Sequence, residues 1–422
     1  MKKIFFRFFF LYFIFTITPW LWFYFIPGVS YVTDYYTKGM QWIVFQFNDW
    51  FLHIKETLNT EGFGSGDTSY AWAEFYTIII LSFVIAIVWT VLHNKEKESK
   101  LPEYWLHNLI RYNLIMVAFS YGIIKLFSLQ MPFPNLSQLA TPLGDFLPMR
   151  FSWMFIGYSQ PYQAFSGAME VIVGLLLLYR RTIPLGLIVG FGVFINVFVM
   201  NLCYDIPVKL YSMEIVIGCF FLLAIDSRKY LNFFILNKPT IPTTGYNYRF
   251  TKRSQRIGRI VLKSVFVLLA LGWNIYDCIN WYQETHTLEN NSIPQGVYNI
   301  KTFKRNNKMT AIALSDSLAW KDFIFDKEKM GSIKTRDTLF RKRYGRGYFG
   351  YEANKSKQTI AFRKTPSDTT DLFVMKYKIL DGRTIQLEGV FKNDTLYYEL
   401  VRNEKQFPLT ERQFHWISEA NR

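Results

Sequence analysis

The chain has 422 residues, of which 50% are hydrophobic and 19% aromatic, and it carries a formal net charge of +16. Several apolar runs are long enough to cross a hydrocarbon core of about 30 Å, which excludes a single water-soluble globule. The basic balance could suit nucleic acid, but the lysines and arginines gather in short connections between apolar runs and no nucleic-acid motif accompanies them, so nucleic acid is not expected as a partner.

Met1-Lys2-Lys3 precede an aromatic run, Ile4 to Ile26, which is long for a signal-peptide core. It ends in Trp20, Trp22 and Tyr24 rather than in a small-residue cleavage site, and so reads as a retained first span with interfacial aromatics. The stretch from Tyr35 to Lys55 mixes Trp42, Phe45, Phe47, Trp50 and Phe51 with Gln41, Gln46, Asn48 and Asp49, the pattern of an interfacial amphipathic helix. Further spans are expected at about 71–93, 105–127, 162–179, 183–203, 209–226 and 259–280, giving seven crossings.

Alternate threading from an inside amino terminus places Lys95, Lys97 and Lys100 on one side with Arg180, Arg181, Arg228, Lys229, Lys238, Arg249, Lys252, Arg253, Arg256 and Arg259. The opposite loops are poor in lysine and arginine, so the positive-inside rule sets the orientation. The expectation is a multi-pass protein of a bacterial inner (cytoplasmic) membrane, amino terminus inside and C-terminal domain outside, in the periplasm. Gln130 to Gln160, with Pro132, Pro134, Pro142 and Pro148 and a short apolar run from Phe151 to Ile156, is expected to cap the bundle as a re-entrant or surface-lying segment. The organisation expected is two spans and the amphipathic helix in 1–104, a four-helix module in 105–226, a basic loop in 227–258, a last span in 259–282 and a β-rich domain in 291–422.

Ionisable groups inside spans are costly and usually face the bundle interior. At 100° per residue, Ala118, Gly122 and Lys125 lie within about 40° of Arg111 on one face of the third span. Gly167, Glu170 and Gly174 share a face of the fourth, with small residues that admit a close neighbour. Lys125 is expected to pair with Glu170. Arg111, Tyr121, Lys125, Glu170, Asn196, Asn201, Asp205, Lys209 and Glu214 are the candidates for a polar pocket opening at the outer end of the bundle, or for structural ion pairs and interhelical hydrogen bonds. Cys203, Cys219 and Cys278 and the five histidines show no ligand spacing, so no metal is expected, and no nucleotide or nucleophile-elbow motif is present.

Beyond Ser292 the pattern changes to period two, in 298–303, 359–363, 373–379, 384–391 and 396–401. Half-buried antiparallel strands have this alternation, and Asp381-Gly382 and Asn393-Asp394 are turn signals. A meander, sandwich or small barrel of six to eight strands is expected, hollow or filled by side chains. The basic tract Arg341 to Arg346 reads as a solvated turn within reach of headgroups, and the terminal aromatics Phe414, Trp416 and Ile417 as a plug for the sheet.

The segments Arg111-Tyr112, Tyr121-Gly122-Ile-Ile-Lys125-Leu126, Pro132-Phe133-Pro134 and Glu170-Val-Ile-Val-Gly174-Leu-Leu-Leu-Leu-Tyr-Arg180-Arg181 resemble DoxX-like membrane proteins over about residues 105–226. That resemblance implies a four-helix membrane module and an envelope redox or stress role, in a family associated with a subunit of thiosulfate:quinone oxidoreductase. A helical membrane module followed by an extracytoplasmic β-rich domain is also similar in arrangement to vitamin K-dependent carboxylase relatives, a likeness that carries no residue.

Three functions fit this reading. The bundle binds a quinone, a lipid or another apolar small molecule in an accessory role; or it is a non-catalytic membrane anchor whose β-domain binds an envelope protein; or it is a membrane enzyme acting on a lipidic or redox substrate. No cofactor motif is evident, and a quinone is the one cofactor the reading admits. The bilayer is a partner in all three.

Overall fold

Apolar residues run almost unbroken through the long segments before residue 280, and helices are the only open-ended element that satisfies its own backbone in lipid. The structure, a computed structural model, describes residues 3–24, 26–60, 66–93, 100–240, 250–287, 293–310, 320–335, 337–412 and 414–417. It has helices α1 (Lys3–Ile17), α2 (Val29–Phe47), α3 (Ser69–Leu92), α4 (Lys100–Leu126), α5 (Leu136–Leu139), α6 (Pro148–Tyr158), α7 (Gln160–Leu178), α8 (Ile183–Cys203), α9 (Lys209–Ile225), α10 (Ser227–Tyr230), α11 (Arg253–Val267), α12 (Asn274–Thr287) and α13 (Pro408–Glu411). Among the described residues six helical segments are long and apolar enough to cross a membrane, at 3–23, 69–92, 101–126, 160–178, 183–203 and 253–284. The bent pair Lys209–Ile225 and Ser227–Ile235, which turn 73° from one another, passes the same test when taken together, as a broken span or a re-entrant loop. The fold is therefore a helical bundle of membrane-spanning character followed by a β-domain. Lys95, Lys97 and Arg249 of the expected basic loops lie outside the described residues.

The chain forms two compact units, one of Met1–Gln130 and Pro161–Cys278, the other of Met131–Gln160 and Ile279–Arg422. In the helical unit α4 is central, because Leu106, Ile110, Leu114 and Ala118 recur every four residues on one face and are all buried. Two charged groups hold helix ends. Arg7 of α1, a charge overlooked in the first span, donates to the carbonyls of Trp89 at 3.0 Å and His93 at 3.2 Å, closing the C-terminus of α3. Asp67 accepts from the Lys209 and Leu210 amides at 2.8 and 3.0 Å and so caps α9 from a distant segment.

Ten strands build the second unit: β1 (Gly296–Arg305), β2 (Lys308–Met309), β3 (Asp322–Phe325), β4 (Met330–Ile333), β5 (Arg341–Arg343), β6 (Arg346–Asn354), β7 (Thr359–Arg363), β8 (Phe373–Ile379), β9 (Thr384–Phe391) and β10 (Asp394–Arg402). Their order is β10-β9-β8-β7-β6-β4-β3-β1, and β10 also pairs with β1, so eight strands close an antiparallel barrel with no free edge. Strands β2 and β5 are extra, pairing with β1 and β6. Two-residue turns in the left-handed region join several hairpins, at Asn306-Asn307, Tyr344-Gly345 and Lys392-Asn393. Closure is made by β1 against β10, from Tyr298 opposite Arg402 to Arg305 opposite Leu396, with a bulge between Ile300 and Thr302.

The structure differs from the sequence expectation in four places. The strand count is ten rather than six to eight, and the basic tract read as a turn is the hairpin β5–β6. The hairpin expected at Asp381-Gly382 is present between β8 and β9, its turn made by the Asp381 carboxylate, which accepts from the Arg383 and Thr384 amides at 2.7 and 2.5 Å. The terminal aromatics do not plug the sheet, since Phe414, Trp416 and Ile417 are exposed, and Trp320 fills the interior instead. The Pro-rich segment 131–160, expected to cap the bundle, packs as part of the barrel unit.

Candidate functional site

On the seam between α4 and α7, Lys125 Nζ donates to Glu170 Oε1, and both side chains are buried. One turn away the helices approach through Gly122 and Gly167: a methyl group on Gly122 would stand 2.8 Å from the Gly167 carbonyl oxygen. The short side chains let the backbones close, and that closeness lets a lysine and a glutamate meet without spanning a gap. Glu170 Oε2 is also buried and, among the described residues, has no hydrogen-bond partner. Tyr121 lies within electrostatic reach of Glu170, and its ring centroid is 6.2 Å from that of Tyr211. Tyr211 stands one helical turn before Glu214 on α9, and Glu214 lies within electrostatic reach of Glu74 of α3.

Thus Tyr121, Lys125, Glu170 and Glu214 of the predicted set belong to one polar cluster, completed by Tyr211 and Glu74. The remaining candidates fall elsewhere. Arg111 is buried fourteen residues earlier in α4, about 21 Å along the axis, with its guanidinium 4.8 Å from the Tyr112 ring centroid. Asn201 donates to Ser212 Oγ at 3.0 Å and links α8 to α9. Lys209 and Asp205 form a 2.8 Å pair with an exposed carboxylate, which contributes little. Asn196 is exposed on α8 and takes no part. Glu74 was missed, although a carboxylate inside an apolar run is itself the signal that marks such a residue.

A second polar centre was also missed, on the outside of the barrel. Phe323 and Phe325 of β3 point inward, so Asp322, Ile324 and Asp326 point outward, yet Ile324 and Asp326 are buried. Segment 131–160 covers them. Asp326 accepts from the Leu136 and Ser137 amides at 2.7 and 3.2 Å and from Ser137 Oγ, so a barrel carboxylate caps α5. Ser332 Oγ donates to Ser137 Oγ at 2.7 Å, and Arg346 Nε donates to Ser332 Oγ at 2.8 Å. Arg346 also pairs with both oxygens of Asp322 at 2.6 and 3.0 Å. Beside this network lies an open cavity of about 200 Å³ edged by Asp145, Lys321, Lys334 and Tyr344.

Burial lifts the Asp326 carboxyl above its ordinary value, against the Ser137 and Leu136 hydrogen bonds and the charge of Arg346, which lower it. An acid raised in the folded state holds its proton more tightly folded than unfolded. Its contribution is therefore fully present below the ordinary aspartate range near about 4 and is lost as pH rises through the raised value. Thermal melts followed by near-ultraviolet dichroism should show the barrel losing stability across that window, and Asp326→Asn should flatten the slope. An unchanged slope in Asp326→Asn would contradict the assignment.

No protein-family model matches the chain, and no solved structure matches it. Among curated proteins, the uncharacterized protein YwoB of Bacillus subtilis (strain 168) is 36% identical over 83 residues, which is 20% of this chain and 54% of YwoB. The chain spans about half the length of that curated relative.

Proposed function

We propose that the protein is a multi-pass inner-membrane protein, amino terminus in the cytoplasm and barrel in the periplasm, whose DoxX-like helical unit holds an apolar small molecule with a polar head. A quinone or a lipid is the ligand class, in an accessory envelope redox or stress role. Supporting the orientation, the basic residues gather in alternate connecting loops, which threading puts together on one side, as the positive-inside rule requires.

The observation that carries the ligand reading is the unsatisfied, buried Glu170 Oε2. An acceptor left bare in an apolar bundle costs about 1–3 kcal/mol, and more when charged, so its retention asks for a reason. A hydroxyl or quinol head group would donate to it, with Tyr121 and Tyr211 offering aromatic surface to a ring. Against this stands a second reading, favoured by the Gly122–Gly167 approach: the ion pair fixes helix register and the barrel binds an envelope protein.

Native mass spectrometry with lipid extraction separates them, applied to gently purified wild type and to a Lys125→Ala, Glu170→Ala double variant of equal folding. A specific quinone or lipid retained by wild type alone is the expected result. Identical extracts from both, with a protein retained in stoichiometric amount, would favour the scaffold.

A further inference from the structure

Leu147, Phe151, Phe155 and Tyr158 of the covering segment are 67, 45, 66 and 38% exposed. At 100° per residue the side chains of Phe151, Phe155 and Tyr158 fall within about 60° on α6 and, with Leu147 just before the helix, form one exposed apolar stripe. The opposite side of the helix is held, because Gly157 sits where a methyl group would stand 2.9 Å from the Met131 carbonyl. Cations flank the stripe. Arg150 of α6 donates to the Tyr344 hydroxyl at 2.9 Å, and Phe146 packs on the Tyr344 ring with centroids 4.9 Å apart, which ties α6 to the β5–β6 hairpin. That hairpin exposes Arg341, Lys342 and Arg343. Partial burial and the like charges of Arg341 and Arg150 pull the Arg343 guanidinium below its ordinary value, a sign that the cations crowd together. Asp145, near Gly345, is the acid beside them.

We infer that the α6 stripe and the β5 cations form a docking surface for the face of an anionic phospholipid bilayer, with the aromatic residues in the interface and Arg150, Arg341 and Arg343 on headgroup phosphates. Apolar side chains rimmed by arginines are what such a surface recognises. Chain connectivity supports the choice of occupant. Ser159 alone separates α6 from α7, a helix long and apolar enough to span, so one residue of chain joins the helix of the stripe to a candidate span. The inference rests on reading the chain as a membrane protein and adds to it a bilayer contact made by the barrel unit.

The test uses the full-length protein in nanodiscs, with p-benzoylphenylalanine introduced singly at Phe155, at Phe220 or at Val390. Phe220 is 61% exposed on α9, and Val390 is 63% exposed on β9, three strands from β6 around the barrel. On irradiation, phospholipid adducts are expected at positions 155 and 220 and not at 390. In discs mixing anionic and neutral lipid, the preference of the position-155 adduct for anionic lipid should fall about tenfold or more in Arg341→Glu, Arg343→Glu, since each basic residue near such a surface contributes on the order of fivefold. Lipid adducts at 220 but protein adducts at 155, or equal lipid adducts at 155 and 390, would overturn the inference while leaving the membrane reading intact. Absence of lipid adducts at all three would overturn both.

Discussion

Glu170→Ala with Lys125 retained is expected to destabilise the helical unit by about 3–5 kcal/mol, because it strands an ammonium in a buried seam with no carboxylate to answer it. Lys125→Ala should cost a similar amount by stranding the carboxylate. The double alanine variant removes both charges at once and should cost much less than the sum of the singles. Exchanging the two residues, Lys125→Glu with Glu170→Lys, should recover part of the loss of either single reversal. Denaturation in detergent, followed by loss of helical dichroism, measures all of these on one scale. Additive single and double variants would mean that the pair does not act as a unit.

The second large effect is expected inside the barrel, where Trp320 lies parallel to Tyr398 with ring centroids 5.1 Å apart and packs against Phe323, Phe340, Phe373 and Phe391. It is fully buried among them. Trp320→Ala removes the largest side chain of that cluster and leaves a hole that eight closed strands cannot collapse to fill, at a cost of about 3–5 kcal/mol. Trp416→Ala, at a residue 92% exposed, should change stability by less than about 0.5 kcal/mol. Urea unfolding read by near-ultraviolet dichroism distinguishes the two sites. Equal losses would return the plug to the C-terminal tail.

The contrast between those two tryptophans shows what the sequence could disclose. Strands β7 to β10 were visible because one face meets the barrel core and the other meets water, so polar and apolar residues alternate. Strands β3 and β4 were invisible because segment 131–160 buries their outer faces too, which turns alternation into short mixed runs such as Asp322-Phe-Ile-Phe. Nothing in a proline-rich stretch between two spans announces that it will clothe a barrel about 190 residues away. In the helical unit the Lys125–Glu170 partnership could be anticipated from helical phase and small neighbours, whereas Asn196 could not be assigned to the outer face of α8 without knowing which helices surround it. Glu74 and Arg7 were open to detection as charges within apolar runs.

On the proposed topology the barrel and the loop after α9 lie on opposite sides of one membrane. Alkaline phosphatase, active only outside the cytoplasm, should be active when fused after Arg422 and inactive when fused after Asn237, with a fluorescent-protein fusion giving the reverse pattern. Cytoplasmic behaviour at Arg422 would contradict the span count, the periplasmic barrel and the orientation of the Lys125–Glu170 seam together.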